Sequence, residues 1–211
     1  LDLGFSLLVI GVLYTMFNDR LSMEVMQVVL ALAYPIGFIF VILGRSALFT
    51  EHTTLAVLPV LNGRESLKDL SRIWGIIYLG NLIGGYIIGA AIAYVGPRLG
   101  LVTYDALEDI AKHLIDYSAP LILVSAILAG WLMGLVSWLA TSSKETIARI
   151  VVVIIVTAVI GLGGLHHSIV GSTEVFAGLL SSDEISLSDY FVTQFWSTIG
   201  NIIGGVFFVS I

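Results

Sequence analysis

The chain has 211 residues, 58% of them hydrophobic and 11% charged, and its mean hydropathy of +1.04 excludes an ordinary soluble globular domain and makes the bilayer its solvent. It contains no cysteine, so disulfides, thiolate metal sites and a cysteine nucleophile are excluded. A formal net charge of -6 without any basic run excludes nucleic acid as a partner, because phosphate contacts need clustered Lys and Arg.

Apolar runs long enough to cross a bilayer, about 20 residues each, are predicted at roughly 2–17, 25–44, 73–95, 119–140, 147–164 and 190–211. The first has no positive region before it and no small-residue cleavage site, so it reads as a span and not as a signal peptide. The chain opens on Leu1 and closes at Ile211 inside apolar runs, so both termini read as truncated. Two further apolar pieces, about 53–61 and 169–180, are too short to cross alone and directly follow the second and fifth spans. They read as the second halves of broken helices.

A phrase is repeated: Gly80-Asn81-Leu82-Ile83-Gly84-Gly85 and Gly200-Asn201-Ile202-Ile203-Gly204-Gly205 stand 120 residues apart. The same shift lays Gly44 on Gly164, at the heads of the two interrupted stretches. Repeated, interrupted hydrophobic segments in corresponding positions point to a substrate path at the breaks. The expected architecture is an all-α integral membrane domain over residues 1–211, with repeats of about 1–95 and 119–211 and a linker 96–118. Three spans per repeat invert the second copy, giving a 3+3 inverted repeat with broken second and fifth helices.

Five of the nine basic residues, Arg64, Lys68, Arg72, Lys144 and Arg149, lie in two loops, which the positive-inside rule makes cytoplasmic. Both chain ends are then cytoplasmic. Gly84, Gly85, Gly204 and Gly205 form small-residue faces for close helix packing. Asn81 and Asn201 suit either an interhelical hydrogen bond or a pore lining.

Backbone that leaves helical geometry at membrane depth must be buried in protein or line a watery cavity. Two second half-helices starting there aim two N-termini, each with about half a positive charge and free N–H donors, at one point, which favours an anion. Thr53 or Thr54 and Ser172 or Thr173 are the expected N-caps. Ionisable residues crowd the breaks: Arg45, Glu51 and His52 in the first, His166, His167 and Glu174 in the second. Arg45 and Glu51 are read either as an ion pair holding the loop or as charges that set selectivity. Glu174 is expected in the first turn of its half-helix, serving the dipole. The adjacent His166 and His167 should face opposite ways, with at most one toward the pore, and histidine suits proton exchange with a passing weak acid.

Leu48-Phe49-Thr50, Ala129-Gly130-Trp131-Leu132-Met133-Gly134-Leu135, Gly164-Leu165-His166-His167-Ser168-Ile169 and Gly200-Asn201-Ile202-Ile203-Gly204-Gly205, in that order, resemble the loop, fourth-span, fifth-span and sixth-span motifs of the formate/nitrite transporter family. The resemblance spans almost the whole chain. It implies an aquaporin-like fold, a homopentamer with one pore per protomer in a bacterial or archaeal plasma membrane, and passage of small monovalent anions of weak acids with proton involvement. It places the family's central histidine on His167, facing Thr50 at mid-pore, with Leu48 and Phe49 in a hydrophobic constriction and Ser168 beside them. It implies no cofactor. The run Thr50-Glu51-His52-Thr53-Thr54 suggests the YfdC-like branch. Arg45, Ala47, Glu51, Gly130, His166 and Gly171 depart from the family's usual residues and rearrange charge at the pore, so formate does not follow automatically.

Two other classes compete. An aquaporin-like channel for water or neutral solutes shares the repeat, but Asn-Pro-Ala caps are absent from both breaks. A membrane enzyme built on His166, His167, Ser168 and Glu174 lacks the i, i+4 histidine spacing of a helical zinc motif.

Overall fold

A computed structural model describes residues 1–210, whose regular structure is helical throughout. Its helices are α1 (Gly4–Phe17), α2 (Met23–Ala33), α3 (Pro35–Gly44), α4 (Phe49–Leu55), α5 (Leu58–Leu61), α6 (Leu67–Arg98), α7 (Tyr104–Ile115), α8 (Ala119–Ser142), α9 (Thr146–Leu162), α10 (Ser168–Leu179) and α11 (Leu187–Gly205), continued by a π-helical turn Val206–Ser210. Four helical stretches are long and apolar enough to cross a membrane: Met23–Gly44, Leu67–Arg98, Ala119–Ser142 and Leu187–Phe208. Gly4–Phe17, Thr146–Leu162 and Ser168–Leu179 are apolar but shorter.

Each element has a local cause. Ser66 and Ser186 open α6 and α11 with full capping boxes, each serine reciprocated by an aspartate three residues on, Asp69 and Asp189. Pro35 opens α3 directly after α2, and Ser6 of α1 holds the junction: its hydroxyl donates to the Tyr34 carbonyl at 2.6 Å and accepts from the Gly37 amide at 2.9 Å. Gly37 permits that approach, since a Cβ there would stand 2.7 Å from the Leu3 Cα.

The core runs through the middle of the bundle, where Leu7, Phe38, Leu48, Leu107, Ile122, Met133 and Ile160 are fully buried. The outer faces are apolar as well: Ile73, Ile76, Leu79, Ile83 and Ile87 of α6, and Ile147, Val151, Ile155 and Val159 of α9, are exposed. Such surfaces belong against lipid or a second protein. The tightest helix pair is α8 with α11, where a Cβ on Gly130 would lie 2.3 Å from the Asn201 carbonyl and one on Gly204 2.0 Å from that of Ile127. Between Gly85 and α10, and between Gly205 and α4, the same arrangement recurs: a Cβ on Gly85 would meet Thr173 Oγ1 at 2.6 Å, and one on Gly205 would meet Thr53 Oγ1 at 2.3 Å.

The stretch read as linker 96–118 contains an ordered amphipathic helix, α7, which buries Ala106, Leu107, Ile110, Ala111 and Leu114 against α10. On its outer side Lys112 bridges Glu108 and Glu184. Lys112 and Ser182 hold the Glu108 carboxyl below the usual glutamate range, and the two glutamates raise Lys112. A depressed acid contributes stability above its ordinary pKa and loses it as pH falls through the folded value. Amide protection factors in α7 are therefore expected to fall below pH of about 4, ahead of those in α6. Hydrogen exchange at stepped pH reads this, and parallel loss in both helices would contradict it.

Candidate functional site

Both breaks are real and both are built the same way. Helix α3 ends at Arg45, a left-handed residue with φ 54°, and α9 runs out through Gly163 to Gly164 at φ 57°. Helices α4 and α10 start four residues later in each case, at Phe49 and Ser168. The left-handed residue of the first break is thus Arg45 and not Gly44, so the two breaks superpose with a shift of 119 (164 − 45) while the repeated Gly-Asn phrases keep 120.

The expected N-caps are corrected. Thr53, Thr54, Ser172 and Thr173 lie inside the half-helices, which begin earlier, with Leu48 and His167 at the cap positions. Thr53 and Thr173 instead bond back to the carbonyls of Thr50 and Ile169. Capping comes from elsewhere in the chain. Asn81 accepts from the Phe49 amide at 2.8 Å and donates to the Ala47 carbonyl at 2.9 Å. Asn201 accepts from the Ser168 amide at 2.8 Å and donates to the carbonyls of His166 at 2.9 Å and Ala126 at 2.8 Å. The repeated asparagines are clasps, one across each break.

Removing a clasp orphans buried backbone groups at about 1–3 kcal/mol apiece. Asn201→Ala strips the buried Ser168 amide and His166 carbonyl of their partner, whereas Asn81→Ala strips the buried Phe49 amide and the exposed Ala47 carbonyl, which water can serve, and Asn201 is the more buried side chain. Thermal unfolding in detergent is expected to rank Asn201→Ala below Asn81→Ala and both below wild type. Equal midpoints would show that water replaces the carboxamides.

The breaks meet at Thr50 and His167, whose Oγ1 and Nε2 are 2.8 Å apart and fully buried. His167 Nδ1 accepts from the Val170 amide at 3.2 Å, so the ring proton sits on Nε2 and donates to Thr50. Phe38 holds the imidazole edge-on, with ring centroids 5.3 Å apart. With the Phe49 and Ser168 amides clasped and that of Val170 on His167, the amides of Thr50 and Ile169 have no partner among the described residues. One cavity, lined by His166, His167, Ser172, Tyr190, Thr193, Gln194 and Ser197 among others, opens on one side of this contact. A second cavity is lined by Ser46, Ala47, Leu48, Asn81, Ile169 and Thr173 among others.

His166 and His167 both border the first cavity, and their rings face different partners as expected, His167 toward Thr50 and His166 toward Leu114 and Ser125. His166 donates from Nε2 to the Leu114 carbonyl at 3.0 Å, so Nδ1 accepts from Ser125 Oγ at 2.9 Å. Through Leu114 it ties α7 to the break. Ser168 Oγ is buried without a hydrogen-bond partner among the described residues. Leu48 lines the second cavity, whereas Phe49 turns to α6 and packs on Trp74 and Tyr78.

The charges at the breaks are arranged otherwise than expected. Arg45 is exposed and Glu51 half-buried, and among the described residues neither joins an ion pair, since the left-handed turn carries Arg45 away from α4. His52 folds back on the break, its Nδ1 donating to the Leu48 carbonyl at 3.0 Å, while Trp74 Nε1 donates to the His52 carbonyl. Glu174 is the seventh residue of α10 and buried, too far along to serve the dipole. The polar face of α11, Thr193, Gln194 and Ser197, was missed. Three hydrogen-bonding residues at i, i+1 and i+4 inside an apolar span were its visible signal.

With this geometry in hand, residues 1–211 match the Formate/nitrite transporter family profile. The chain is 35% identical over 183 residues to the Inner membrane protein YfdC of Escherichia coli (strain K12), an alignment covering 85% of this chain and 58% of that protein. It therefore spans little more than half the length of that relative. Among solved structures it resembles an FNT family ion channel, with a TM-score of 0.85 and 24% identity over 99% of this chain and 85% of the other. It also resembles a pentameric formate channel with formate bound, with a TM-score of 0.76 and 22% identity over 98% and 90%. At these identities the solved structures establish the all-helical channel fold.

Proposed function

Since this chain belongs to the formate/nitrite transporter family, we propose that it passes small monovalent anions of weak acids across the membrane, with a proton accompanying the anion. The carrying observation is the buried 2.8 Å contact between Thr50 and His167 at the start of two half-helices, with one cavity lined by His167 and another by its neighbours Leu48 and Ile169. Two helix N-termini with unpartnered amides favour an anion on approach. Leu48, Ile169 and Phe38 then strip its water. A poorly solvated anion favours its protonated form, and neutral acid crosses apolar surroundings more cheaply than the ion. His167 is the group in position to bond the acid and exchange its proton.

The remaining architecture follows the same reading. The paired contacts of Gly85 with Thr173 and Gly205 with Thr53 support a 3+3 inverted repeat over about 1–95 and 119–211. The exposed apolar face of α6, together with the pentameric solved relative, supports a homopentamer embedded in lipid. The name of the curated relative supports the bacterial or archaeal plasma membrane, and the basic loops support cytoplasmic termini.

The test is a panel of formate, nitrite and hydrosulfide uptake by the full-length protein in proteoliposomes across pH. Uptake that rises as external pH falls is the expected result. Flux confined to water or glycerol would install the aquaporin-like reading in its place.

A further inference from the structure

His167 carries one ring proton, on Nε2, and its Nδ1 is occupied by the Val170 amide. Giving that proton up would leave an imidazolate, so His167 can exchange a proton only while another group replaces it. The proton that neutralises an anion therefore has a second source.

One buried acid on the same helix has no role so far. Glu174 is 7% exposed, and its carboxyl has no hydrogen-bond or ion-pair partner among the described residues. From the cap at His167, Gly171 and Glu174 follow at +4 and +7, on one face of α10 and about 10 Å from end to end. Gly171 leaves that face bare: a Cβ there would touch only Leu114 Cδ1, at 3.5 Å. Helical side chains lean toward the N-terminus, so Glu174 reaches back over Gly171 toward the break. Helix α3 follows the same line. Phe38 lies 5.3 Å from the His167 ring and Tyr34 5.3 Å from that of Phe38, centroid to centroid. The Tyr34 hydroxyl is within electrostatic reach of Glu174 and has no hydrogen-bond partner among the described residues.

The other titratable groups on elements packed against α10 are engaged elsewhere. Glu108 and Lys112 of α7 pair on its outer side, and His113 stands over Gly164. Tyr14 of α1 bonds Asp109, Tyr86 of α6 and Tyr190 of α11 bond each other, and Glu51 and His52 of α4 act on one another. An unpaired carboxylate at membrane depth requires a proton, a cation or water. One carboxyl beside one hydroxyl offers too few oxygens for a metal cation.

We infer that Glu174 is the proton donor to the transported anion, set on the α7 side of His167 with the Tyr34 hydroxyl beside it. This rests on the proposed weak-acid transport. The Glu174 O–H bond breaks as an O–H bond forms on the anion, leaving a Glu174 carboxylate and a neutral acid that His167 can bond without losing its own proton. Water on the α7 side returns a proton to Glu174, and the acid releases one on the opposite side, so one proton crosses per anion.

The test compares formate uptake across external pH in proteoliposomes of the full-length protein. Glu174→Gln is expected to lower uptake roughly a hundredfold at neutral pH, as the loss of a positioned proton donor does. It should approach wild type as pH falls toward about 4, where the acid arrives already protonated. Glu174→Asp should keep the wild-type profile. Glu174→Met, which removes an unpartnered buried polar group and so folds at least as well, should match Glu174→Gln. The infrared band of a protonated carboxyl, present in wild type and missing in Glu174→Gln, reads the site without transport. A Gln variant with the wild-type pH profile, uptake that depends on sodium through Glu174, or absence of that band at every pH overturns the assignment and leaves the transport reading standing. No uptake by wild type, with the band present and titrating, would sink the transport reading and keep Glu174 as a proton site.

Discussion

Formate uptake falls by about tenfold or more in His167→Ala, because the substitution leaves buried Thr50 Oγ1 without its donor, at about 1–3 kcal/mol, and removes the group that exchanges the proton. The loss should not come from unfolding. His167 caps α10 through Val170, and a lost cap costs only about 1 kcal/mol. His167→Asn separates the two roles: asparagine caps well but cannot titrate. It should restore the unfolding midpoint and leave uptake low. Thr50→Val, which spares the cap, should lower uptake less than His167→Ala. Normal uptake by His167→Asn would reduce His167 to a capping residue.

The second large effect is structural and lies in the repeated phrase. A Cβ on Gly204 would stand 2.0 Å from the Ile127 carbonyl and 2.6 Å from the Trp131 amide. These are backbone atoms of α8, held by their own helix, so α8 and α11 must part. Gly204→Ala is expected to lower stability by about 3 kcal/mol and to cut the yield of folded protein. Gly80 begins the other copy, yet nothing lies within 4 Å of where its Cβ would be. Gly80→Ala should leave the protomer's packing and unfolding midpoint unchanged, apart from a small gain in helix propensity. Midpoints within about 0.5 kcal/mol of each other would mean that α8 and α11 are not in contact as described.

That contrast shows what was legible. The 120-residue shift found both breaks, because apolar runs and glycines are local signals that survive duplication, whereas the meeting of Thr50 with His167 came from the family resemblance. The caps were not legible in the same way. The half-helices start where the chain leaves Arg45 and Gly164, and the groups that satisfy them sit on α6 and α11, so no residue near the start announces it. Threonines inside α4 and α10 look like caps and are back-bonded packing residues. Of the two readings of Arg45 and Glu51, the ion pair, argued from the tendency of buried charges to pair, is not formed, because Arg45 lies exposed at the left-handed turn. Helix α7 was readable from the Ala106, Leu107, Ile110, Ala111 and Leu114 stripe behind the Thr103 cap, and was lost in a stretch read as linker. The asparagines repeated with the glycines turn out to hold the breaks, so the phrase is both packing and clasp.

The central claim, a weak-acid anion crossing with its proton at Thr50 and His167, is tested most directly by recording internal pH and labelled formate together in proteoliposomes, with the membrane potential clamped at several values. The account predicts one proton entering per formate, uptake indifferent to the clamp, and loss of both signals in His167→Ala. Formate entry that follows the clamped potential without internal acidification, or that persists in His167→Ala, would contradict it.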